Sequence, residues 1–575
     1  MTTSSWNPQP STGEWNSADN WNPAGVPKGT AAFAVTTQTM VSFSPVSDAA
    51  VDGIEFAESA PAYTFEFGPS ATPALTITGK GIDNRSGRLQ SFIVAATSSG
   101  FRNPQLVFSN AATAGGDDVF YCAGPITEQD YGGGVIRFQD TATAGSASFK
   151  AWTGAAAPPE HNTVGGEISF CDASSADTAR FMIYGSLGAD GDTFGNVVFH
   201  DTASAANATF TNVGGTVSGG DGGNTQFYGD STAAHGVFYN EGATHPKANG
   251  GDVAFDGTAV GGNGRFHNYA AKAPGAYGGV TSFNNNPPRM EATQGASAGQ
   301  GAYFNYGALE GEQGGGGHLT FSAKYASPSA ANASIVNCGS SIENKSSAGH
   351  TIFSVNLPTE YFPTAGNATL WNHPAVREGA AAGYTEFSVY GEGAADGNVP
   401  TAGSATIVNL GGNVSQAAGG YTVFSGTSSA GNASLIAHGG TGGGCGGRIA
   451  FYDDSSGGAA KIQLSGNGEL DIGGHSKGVT IGALDANEGI ISIRIGADAT
   501  LLRVSDALTL NSSRLTFSFW KKDADDVAFS TAFTILSSAH LSDYGPDRFH
   551  GNSVDGVAPT FAIVGDELQV TFVRR

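Results

Sequence analysis

Charged residues are scarce in this sequence, and those that occur are mostly acidic. Only 13% of the 575 residues are Asp, Glu, Lys or Arg, and the formal net charge is −24. Because an acidic surface repels a phosphate backbone, we expect no nucleic-acid partner. The low density of charge favours an inert, soluble exterior.

Cysteine is also rare, and its spacing excludes several kinds of site. The four cysteines lie far apart in the sequence, and none belongs to a CxxC pair. Neither a zinc site nor a dithiol redox site is therefore indicated, and a disulfide framework is not expected. We interpret them as isolated small thiols in the core or at the surface. They are Cys122, Cys171, Cys338 and Cys445.

Long nonpolar segments are missing as well. No nonpolar run approaches the roughly 20 residues of a transmembrane helix, so we expect no transmembrane segment. The first residues, MTTSSWNPQPSTGEW, lack the basic and nonpolar regions of a signal peptide. The export route therefore stays open: a removed signal, another route, or retention inside the cell.

Glycine and aromatic residues, in contrast, are abundant and occur in register. The chain contains 86 glycines and 10% aromatic residues. Phe138 and Phe149 are eleven residues apart, and the first Phe advances by 27 to 38 residues from one unit to the next. A fixed period of this size predicts a solenoid rather than disorder. The same gap of eleven separates Phe170 from Phe181, Phe199 from Phe210, Phe227 from Phe238, and Phe255 from Phe266.

The repeats predict an all-β fold, a parallel β-helix with coils of about 30 residues. Each unit has two short strands with period-two alternation and an inward nonpolar residue in each, as in GGEISF and ANATF. We expect the solenoid over 31–510, clearest at 105–465, with an N-terminal cap at 1–30 and a C-terminal β cap at 511–575. One internal stack should contain Phe138, Phe170, Phe199, Phe227, Phe255, Phe283, Phe321, Phe353, Phe387, Phe424 and Phe451.

The sequences near the two ends of the chain suggest how the first and last coils are covered. Trp15 and Trp21, followed by Pro23 and Pro27, are interpreted as covering the first coil, with a sugar-stacking site as the alternative. The last strand, 567–573, is nonpolar on one face and is followed by two arginines, Arg574 and Arg575. One hypothesis is that this end docks on the acidic or aromatic end of another molecule in a filament; the alternative is a monomer with two good caps.

Two rows of asparagine occur at fixed distances from the second inward residue of each unit. We expect hydrogen-bonded amide ladders between stacked coils, and asparagine also tolerates the left-handed conformation of tight turns. The first row also lies in glycosylation triplets at Asn207, Asn332, Asn367 and Asn432, which the repeat itself explains. This row, three residues before the second inward residue, holds Asn207, Asn263, Asn332, Asn367 and Asn432, with Ser146 and Ser404 in equivalent places. The second row, two residues after it, holds Asn212, Asn240, Asn268, Asn337, Asn372 and Asn409.

No catalytic motif occurs, so we assign no catalytic, cofactor-binding or metal residues. Neighbouring carboxylates could form the carboxyl pair of a glycosidase. The simpler interpretation is that they lie on the solvated surface, because adjacent residues of a strand point to opposite faces and do not form such a pair. These carboxylates are Asp117–Asp118, Asp453–Asp454, and Asp523, Asp525 and Asp526. The segment GNGELDIGG at 466–474 partly matches a calcium nonapeptide, but calcium binding there needs consecutive copies.

Longer insertions between the two inward residues suggest a surface patch on one face of the solenoid. The candidate patch residues are Pro287, Pro288, Arg289, Tyr361, Phe362, Tyr390 and Glu392.

Several segments resemble those of bacterial surface proteins with autotransporter-associated β-strand repeats. They are the opening WNSADNWNPAGVP, the units AGNASLIAHGG and AANATFTNVGG, and the late FTILSS and ELQVTF. The resemblance implies a right-handed parallel β-helix, secretion, and a surface, adhesive or matrix role. No catalytic residue carries over, and the missing signal peptide departs from the pattern of these proteins.

We therefore expect a non-enzymatic structural or adhesive rod, located outside the cell or on the surface of a bacterium. Self-association into filaments or layers and contact with surface glycans are the expected interactions, and no cofactor is expected apart from the calcium alternative above. The alternative function is a polysaccharide-binding or polysaccharide-cleaving β-helix of the lyase or phage-tailspike type.

Overall fold

The protein is described by a computed structural model, in which the chain forms two compact units, Met1–Thr281 and Ser282–Arg575. The described residues are 2–43, 49–68, 74–94, 105–124, 133–152, 165–187, 194–284, 295–324, 326–356, 359–391, 399–496, 498–511, 514–521 and 531–573.

Both units are all-β, and among the described residues the only helices are four 3₁₀ turns. In unit 1 the strands are β1 (Thr3–Trp6), β2 (Trp21–Asn22), β3 (Thr30–Phe33), β4 (Met40–Phe43), β5 (Ala49–Phe56), β6 (Thr64–Phe67), β7 (Leu75–Asn84), β8 (Gln90–Val94), β9 (Gln105–Phe108), β10 (Val119–Ala123), β11 (Val135–Phe138), β12 (Ser148–Ala151), β13 (Glu167–Phe170), β14 (Arg180–Ile183), β15 (Asn196–Phe199), β16 (Thr209–Asn212), β17 (Asn224–Phe227), β18 (Val237–Asn240), β19 (Asp252–Phe255) and β20 (Arg265–Asn268).

The boundary between the units falls within β21 (Val280–Phe283). Unit 2 continues with β22 (Ala302–Asn305), β23 (His318–Ala323), β24 (Ser334–Asn337), β25 (His350–Asn356), β26 (Thr369–Asn372), β27 (Tyr384–Tyr390), β28 (Thr406–Asn409), β29 (Tyr421–Phe424), β30 (Ser434–Ala437), β31 (Arg448–Phe451), β32 (Lys461–Asp471), β33 (Gly478–Ile481), β34 (Ala483–Arg494), β35 (Leu501–Val504), β36 (Leu508–Leu510), β37 (Leu515–Trp520), β38 (Phe533–Ser537), β39 (Phe549–Gly551), β40 (Pro559–Val564) and β41 (Glu567–Phe572). The 3₁₀ turns are Ala18–Asn20, Lys345–Ser347, Leu541–Asp543 and Pro546–Arg548.

Each repeat forms one coil, in which a first strand, a tight turn and a second strand follow one another. The first strand β11 pairs in parallel with β13 of the next coil, and the second strand β12 pairs in parallel with β14. A single bridge joins the turns between them, from Thr143 to Ser175. Equivalent residues therefore lie directly above one another, and the predicted β-helix solenoid is confirmed.

Stacked aromatic rings fill the core of unit 1. On the first strands, successive ring centroids are 4.7 to 4.9 Å apart and the planes deviate by only 5° to 8°. A second stack runs along the second strands, and the two meet edge to face, as where Phe138 lies 5.9 Å from Phe149. Such pairs contribute about 0.5–1.5 kcal/mol each beyond their burial. The first stack is Phe108, Phe138, Phe170, Phe199, Phe227 and Phe255; the second includes Tyr121, Phe149, Phe181, Phe210, Phe238 and Phe266.

Unit 2 keeps the first stack and changes the second. The first-strand rings are again 4.7 to 4.9 Å apart, so the predicted stack is present within each unit. They are Phe283, Phe321, Phe353, Phe387, Phe424 and Phe451. On the second strands buried Tyr303 is followed by aliphatic residues, Ile335, Leu370, Ile407, Leu435 and Ile462.

The second asparagine row forms the predicted ladder, and it is fully buried. In unit 1 the Asn212 Nδ2 donates to Asn240 Oδ1, and Asn240 Nδ2 donates to Asn268 Oδ1, both at 2.8 Å. In unit 2 the ladder runs from Asn305 through Asn337 and Asn372 to Asn409, at 2.8 to 2.9 Å. Most of the amide oxygens are also reached by a threonine hydroxyl of a first strand, as where Thr385 Oγ1 donates to Asn372 Oδ1 at 3.0 Å. The buried amides are thus largely paired, and Asn409 Nδ2, at the end of the ladder, has no partner among the described residues.

The first asparagine row has a different role from the one expected. Its described members are exposed, and the one amide contact between coils is from Asn367 Nδ2 to Asn332 Oδ1, at 3.4 Å. Neither row adopts the left-handed conformation. That conformation belongs to the residue before the first row, such as Ala206 with φ 48°, and to a residue after the first strand, such as Asp172 with φ 55°. The first row does lie in the turns, but the left-handed conformation considered for these asparagines is wrong.

The tryptophans near the N-terminus are buried in the first coils of unit 1. Trp15 is 0% exposed and stacks on Phe43 at 5.1 Å, and Trp21 meets Trp15 edge to face at 4.8 Å. Trp6 packs on Trp21 at 5.0 Å. Because these rings have no free face, the sugar-stacking alternative does not fit them.

The strand near the C-terminus lies inside a sheet rather than at its edge. Five strands form this sheet in the order β33, β35, β38, β41 and β40. The strand β41 pairs in antiparallel fashion with both β38 and β40, so both of its backbone edges are satisfied. It is therefore not a template for another molecule, as the filament hypothesis assumed. Arg574 and Arg575 lie outside the described residues.

The buried ladder should be a main source of stability in unit 2. Replacing Asn372 by Ala leaves Asn337 Nδ2 and Thr385 Oγ1 without their shared acceptor, so we expect a loss of about 2–3 kcal/mol. The exposed Asn367 in the same coil is the matched control, and Asn367→Ala should change stability by less than about 0.5 kcal/mol. Hydrogen exchange in β24, β26 and β28 measures both. Equal protection in the two variants would contradict a stabilising ladder.

Candidate functional site

A pocket in unit 1 brings together carboxylates that are distant in the sequence. Asp83 lies near the end of β7, Asp118 precedes β10, and Asp177 lies in the turn before β14. The floor is backbone: a Cβ on Gly145 would lie 2.2 Å from Gly115 O, so glycine is required there. The full lining is Ile82, Asp83, Asn84, Thr113, Gly115, Gly116, Asp118, Gly145, Ser146, Asp177 and Thr178.

Asp118 is the carboxyl of this pocket with a perturbed acidity. Burial raises the pKa of Asp118, and the negative charges of Asp117 and Asp83 raise it further, against the opposing effect of hydrogen bonds that include Asn84. The Asn84 amide is held by Arg88 O at 2.8 Å and also reaches Asp118 O at 3.3 Å. A carboxyl whose pKa is raised by neighbouring carboxylates and by burial is the kind of group that can serve as a general acid.

A second feature is a column formed by the first residue of each first strand, which follows a Gly-Gly or Ala-Gly pair in most coils. The pair lets neighbouring backbone approach closely: a Cβ on Gly251 would lie 2.0 Å from Asn212 O. We call this row the polar column. In unit 1 it contains Glu167, Asn196, Asn224 and Asp252. In unit 2 it contains His318, His350, Tyr384, Tyr421, Arg448 and Glu469.

In unit 2 the polar column is a stack of titratable rings. His318, His350, Tyr384 and Tyr421 follow one another at 5.1, 4.8 and 5.1 Å. His350 is 9% exposed, and its Nδ1 lies 2.9 Å from Ala348 O. Burial, with His318 and Lys345 nearby, lowers the pKa of His350 to about 3. The column therefore holds a neutral imidazole at physiological pH.

In unit 1 the polar column presents oxygen atoms. The Oδ1 atoms of Asn196, Asn224 and Asp252 are buried and accept no hydrogen bond. Burial raises the pKa of Asp252 to about 7, and the charges of Asp256 and Asp221 act in the same direction. These three oxygens are therefore buried acceptors that lack a donor among the described residues.

The outward side of the second strands in unit 2 carries two regular rows, which we call the outer face. One row is nonpolar and partly exposed: Phe304, Val336, Trp371, Val408 and Ile436. The other carries hydroxyl groups: Ser334, Thr369, Thr406 and Ser434. Rings and hydroxyl groups in adjacent rows are the groups that contact sugars in protein binding sites.

The remaining carboxylates predicted as candidates have structural contacts or lie elsewhere. Asp453 adopts a left-handed turn and accepts a hydrogen bond from Gly426 N at 3.0 Å. Asp117 is exposed, and Asp523, Asp525 and Asp526 lie outside the described residues. The segment considered for calcium begins inside β32, where Glu469 and Asp471 form ion pairs with Arg448.

The loop patch proposed from the insertions is only partly described. Tyr390 is 52% exposed and its hydroxyl lies 3.3 Å from Glu386 Oε1, while Phe362 N donates to Ser327 Oγ at 3.2 Å. Tyr361 is partly exposed. Pro287, Pro288, Arg289 and Glu392 lie outside the described residues. The four cysteines are free, from buried Cys122 to exposed Cys445.

Sequence reasoning missed both the pocket and the polar column. The pocket depends on residues from four successive coils, so no local sequence motif predicts it. The column had a signal, because most of its residues follow a pair of small residues and precede the inward Phe by three positions. Within the described part of the chain, no group of three or more His, Cys, Asp or Glu side chains is arranged to hold a metal ion.

No protein-family model matches this chain, and no curated protein matches it. Over the described ranges, none of the helices has the length and nonpolar character needed to cross a membrane.

The His350 environment makes the stability of unit 2 depend on pH. The unfolded chain binds a proton at His350 below about pH 6.5 whereas the folded chain does so only near pH 3. Stability should therefore rise with pH between these values, by about 3 kcal/mol from pH 4 to pH 7. In His350→Phe, which keeps a ring in the stack, most of this rise should disappear. Hydrogen exchange in β25 measures it.

The control for this experiment is His438→Gln, which removes an exposed imidazole of the same unit. That variant should keep the pH dependence of the parent protein. If His350→Phe kept it as well, the buried imidazole would not be its cause.

Proposed function

We propose that this protein is a non-enzymatic structural or adhesive β-helix that acts outside the cell, on a bacterial surface or in a matrix. The observation that carries the proposal is the continuity of the ladders, since successive coils repeat their ring contacts and, from Asn212 to Asn268 and from Asn305 to Asn409, their amide contacts. A scaffold of this kind resists local opening because most strands of the coils are paired on both sides by their neighbours. The resemblance to surface proteins with autotransporter-associated repeats supports the same role.

The outer face of unit 2 supplies the adhesive element of this proposal. Its nonpolar row includes Trp371, and its hydroxyl row includes Thr369 and Thr406. Sugars have nonpolar faces that pack on aromatic rings and hydroxyl groups that bond to polar side chains, so a neutral polysaccharide is the proposed partner. The regular repetition of the rows from coil to coil suits an extended polymer rather than a small molecule.

Binding to immobilised neutral and acidic glycans tests this function. We expect the full chain to bind a neutral glycan without releasing products. Trp371→Ser should weaken binding by about tenfold or more, as expected for the loss of an aromatic contact. Thr211→Ser, at an outward position of a second strand in unit 1, is the control and should bind normally. Release of products, or equal binding by Trp371→Ser, would contradict the proposal.

The second candidate function is polysaccharide cleavage at the acidic pocket. The observation in its favour is Asp118, whose raised pKa suits a general acid among other carboxylates. Hydrolysis by such a pair would require Asp118 to protonate the leaving oxygen and a second carboxylate, Asp83 or Asp177, to act as base or nucleophile.

If the pocket is catalytic, Asp118→Asn should abolish the release of reducing ends from a glycan panel. The expected decrease is about 10²-fold to 10⁴-fold, the usual contribution of a general acid. Asp117→Asn removes the exposed neighbouring charge and is the matched control. Activity that survives in Asp118→Asn would place the reaction elsewhere, and no activity in the parent protein leaves the structural function as the better proposal.

A further inference from the structure

The polar column of unit 1 differs from the inner asparagine ladder in one respect. In the asparagine ladder the amide oxygens accept hydrogen bonds from side chains, as Asn268 Oδ1 does from Asn240 Nδ2 at 2.8 Å and from Thr281 Oγ1 at 3.0 Å. In the polar column the Oδ1 atoms of Asn196, Asn224 and Asp252 are equally enclosed, yet they accept nothing. Three consecutive coils therefore place an unpartnered oxygen at the same position.

The stacking register holds these oxygens close together. Asn196 is directly opposite Asn224 in the pairing of β15 with β17, and Asn224 is opposite Asp252 in the pairing of β17 with β19. Neighbouring strands lie about 4.8 Å apart, so adjacent column residues can share one ligand. The next coil carries Val280, which offers no donor to Asp252 from that side.

The electrostatic surroundings of Asp252 are negative. Asp221 and Asp256 both lie close enough to act on its charge. Asp221 Oδ1 is held by the Asn249 amide at 2.5 Å, which fixes this carboxylate near the column. Burying a carboxylate among acceptors and other carboxylates is costly unless a positive charge compensates.

We propose that Asn224 Oδ1 and Asp252 Oδ1, with Asn196 at one end, form a binding site for a hard divalent cation, Ca²⁺. Carboxylate and amide oxygens are the ligands that Ca²⁺ takes, and its flexible coordination accepts water at the remaining positions. The side chains themselves are partly exposed, so a path for the ion and its waters exists. A bound Ca²⁺ ion would coordinate the unpartnered oxygens and would also offset the negative charge around Asp252. This site is independent of the proposed function.

The test uses the full chain after dialysis against EDTA, with CaCl₂ as the probe and NaCl at equal ionic strength as the comparison. Hydrogen exchange by mass spectrometry reports on β17 and β19 separately from the rest of the chain. We expect Ca²⁺ to slow exchange in these strands by about tenfold when its concentration is ten times the dissociation constant. Titration calorimetry should give about one ion per chain.

Two variants locate the ion. Asp252→Asn removes the charged ligand and should abolish the calcium effect, and Asn224→Val, a residue that the column already carries at Val135 and Val280, should weaken it. Asp117→Asn removes an exposed carboxylate of the same unit and should leave the effect intact. Without calcium, Asp252→Asn should protect β19 at least as well as the parent chain does, because the uncompensated charge is gone.

Several results would overturn the proposal. One is an unchanged calcium effect in Asp252→Asn, which would place the ion elsewhere. Another is slowing by NaCl equal to that by CaCl₂, which would indicate a monovalent ion or simple screening. A third is no response of the parent protein up to about 10 mM Ca²⁺, tenfold above the weakest extracellular calcium modules. This last result depends on the parent chain alone, so it counts even if a variant fails to fold.

Discussion

In-register parallel stacking is the constraint on which the rest of this structure depends. Because each coil lies directly over the previous one, the nearest neighbour of a side chain is the residue at the same position one repeat away. Each position of the repeat therefore has to be occupied by side chains that interact favourably with a side chain of the same type in the next coil. Rings stack at 4.7 Å and amides donate to amides at 2.8 Å, whereas like charges placed opposite one another repel. This constraint explains why only 13% of the chain is charged.

The same constraint explains how much of the fold could be read from the sequence. The spacing of Phe138 and Phe149 identified both inward rows, because a repeat that stacks on itself has to repeat its core. Strand parity also separates the two asparagine rows: Asn372 is two residues from inward Leu370 and points inward with it, while Asn367, three residues before, lies in the exposed turn. The alternation of inward and outward residues along each strand can be counted from the sequence. The expectation of a left-handed conformation for these asparagines did not take it into account.

Other features depend on contacts that a repeat pattern does not contain. Alternation in β41 predicted a buried face correctly for Leu568, Val570 and Phe572, but not that the strand would be paired on both edges. The polar column is a clearer case. Its residues in unit 1 have outward parity, three positions from the inward Phe, and the Oδ1 atoms of Asn196, Asn224 and Asp252 are nevertheless buried. The close backbone approach at glycines such as Gly251, which produces the enclosure, becomes visible only when the coils are stacked.

The polar column also shows where specific chemistry can arise in a protein built on repetition. One backbone position carries acceptor oxygens in unit 1 and aromatic or imidazole rings in unit 2, although the flanking strands are nearly the same. The rings of unit 2 satisfy one another by stacking, as His350 and Tyr384 do at 4.8 Å. In unit 1 the Oδ1 atoms of Asn196, Asn224 and Asp252 accept no hydrogen bond from the described residues, although the two asparagines also carry amide donors. An oxygen that no group of the chain satisfies can be satisfied by a component from outside the chain, and that difference separates a binding position from a purely structural one.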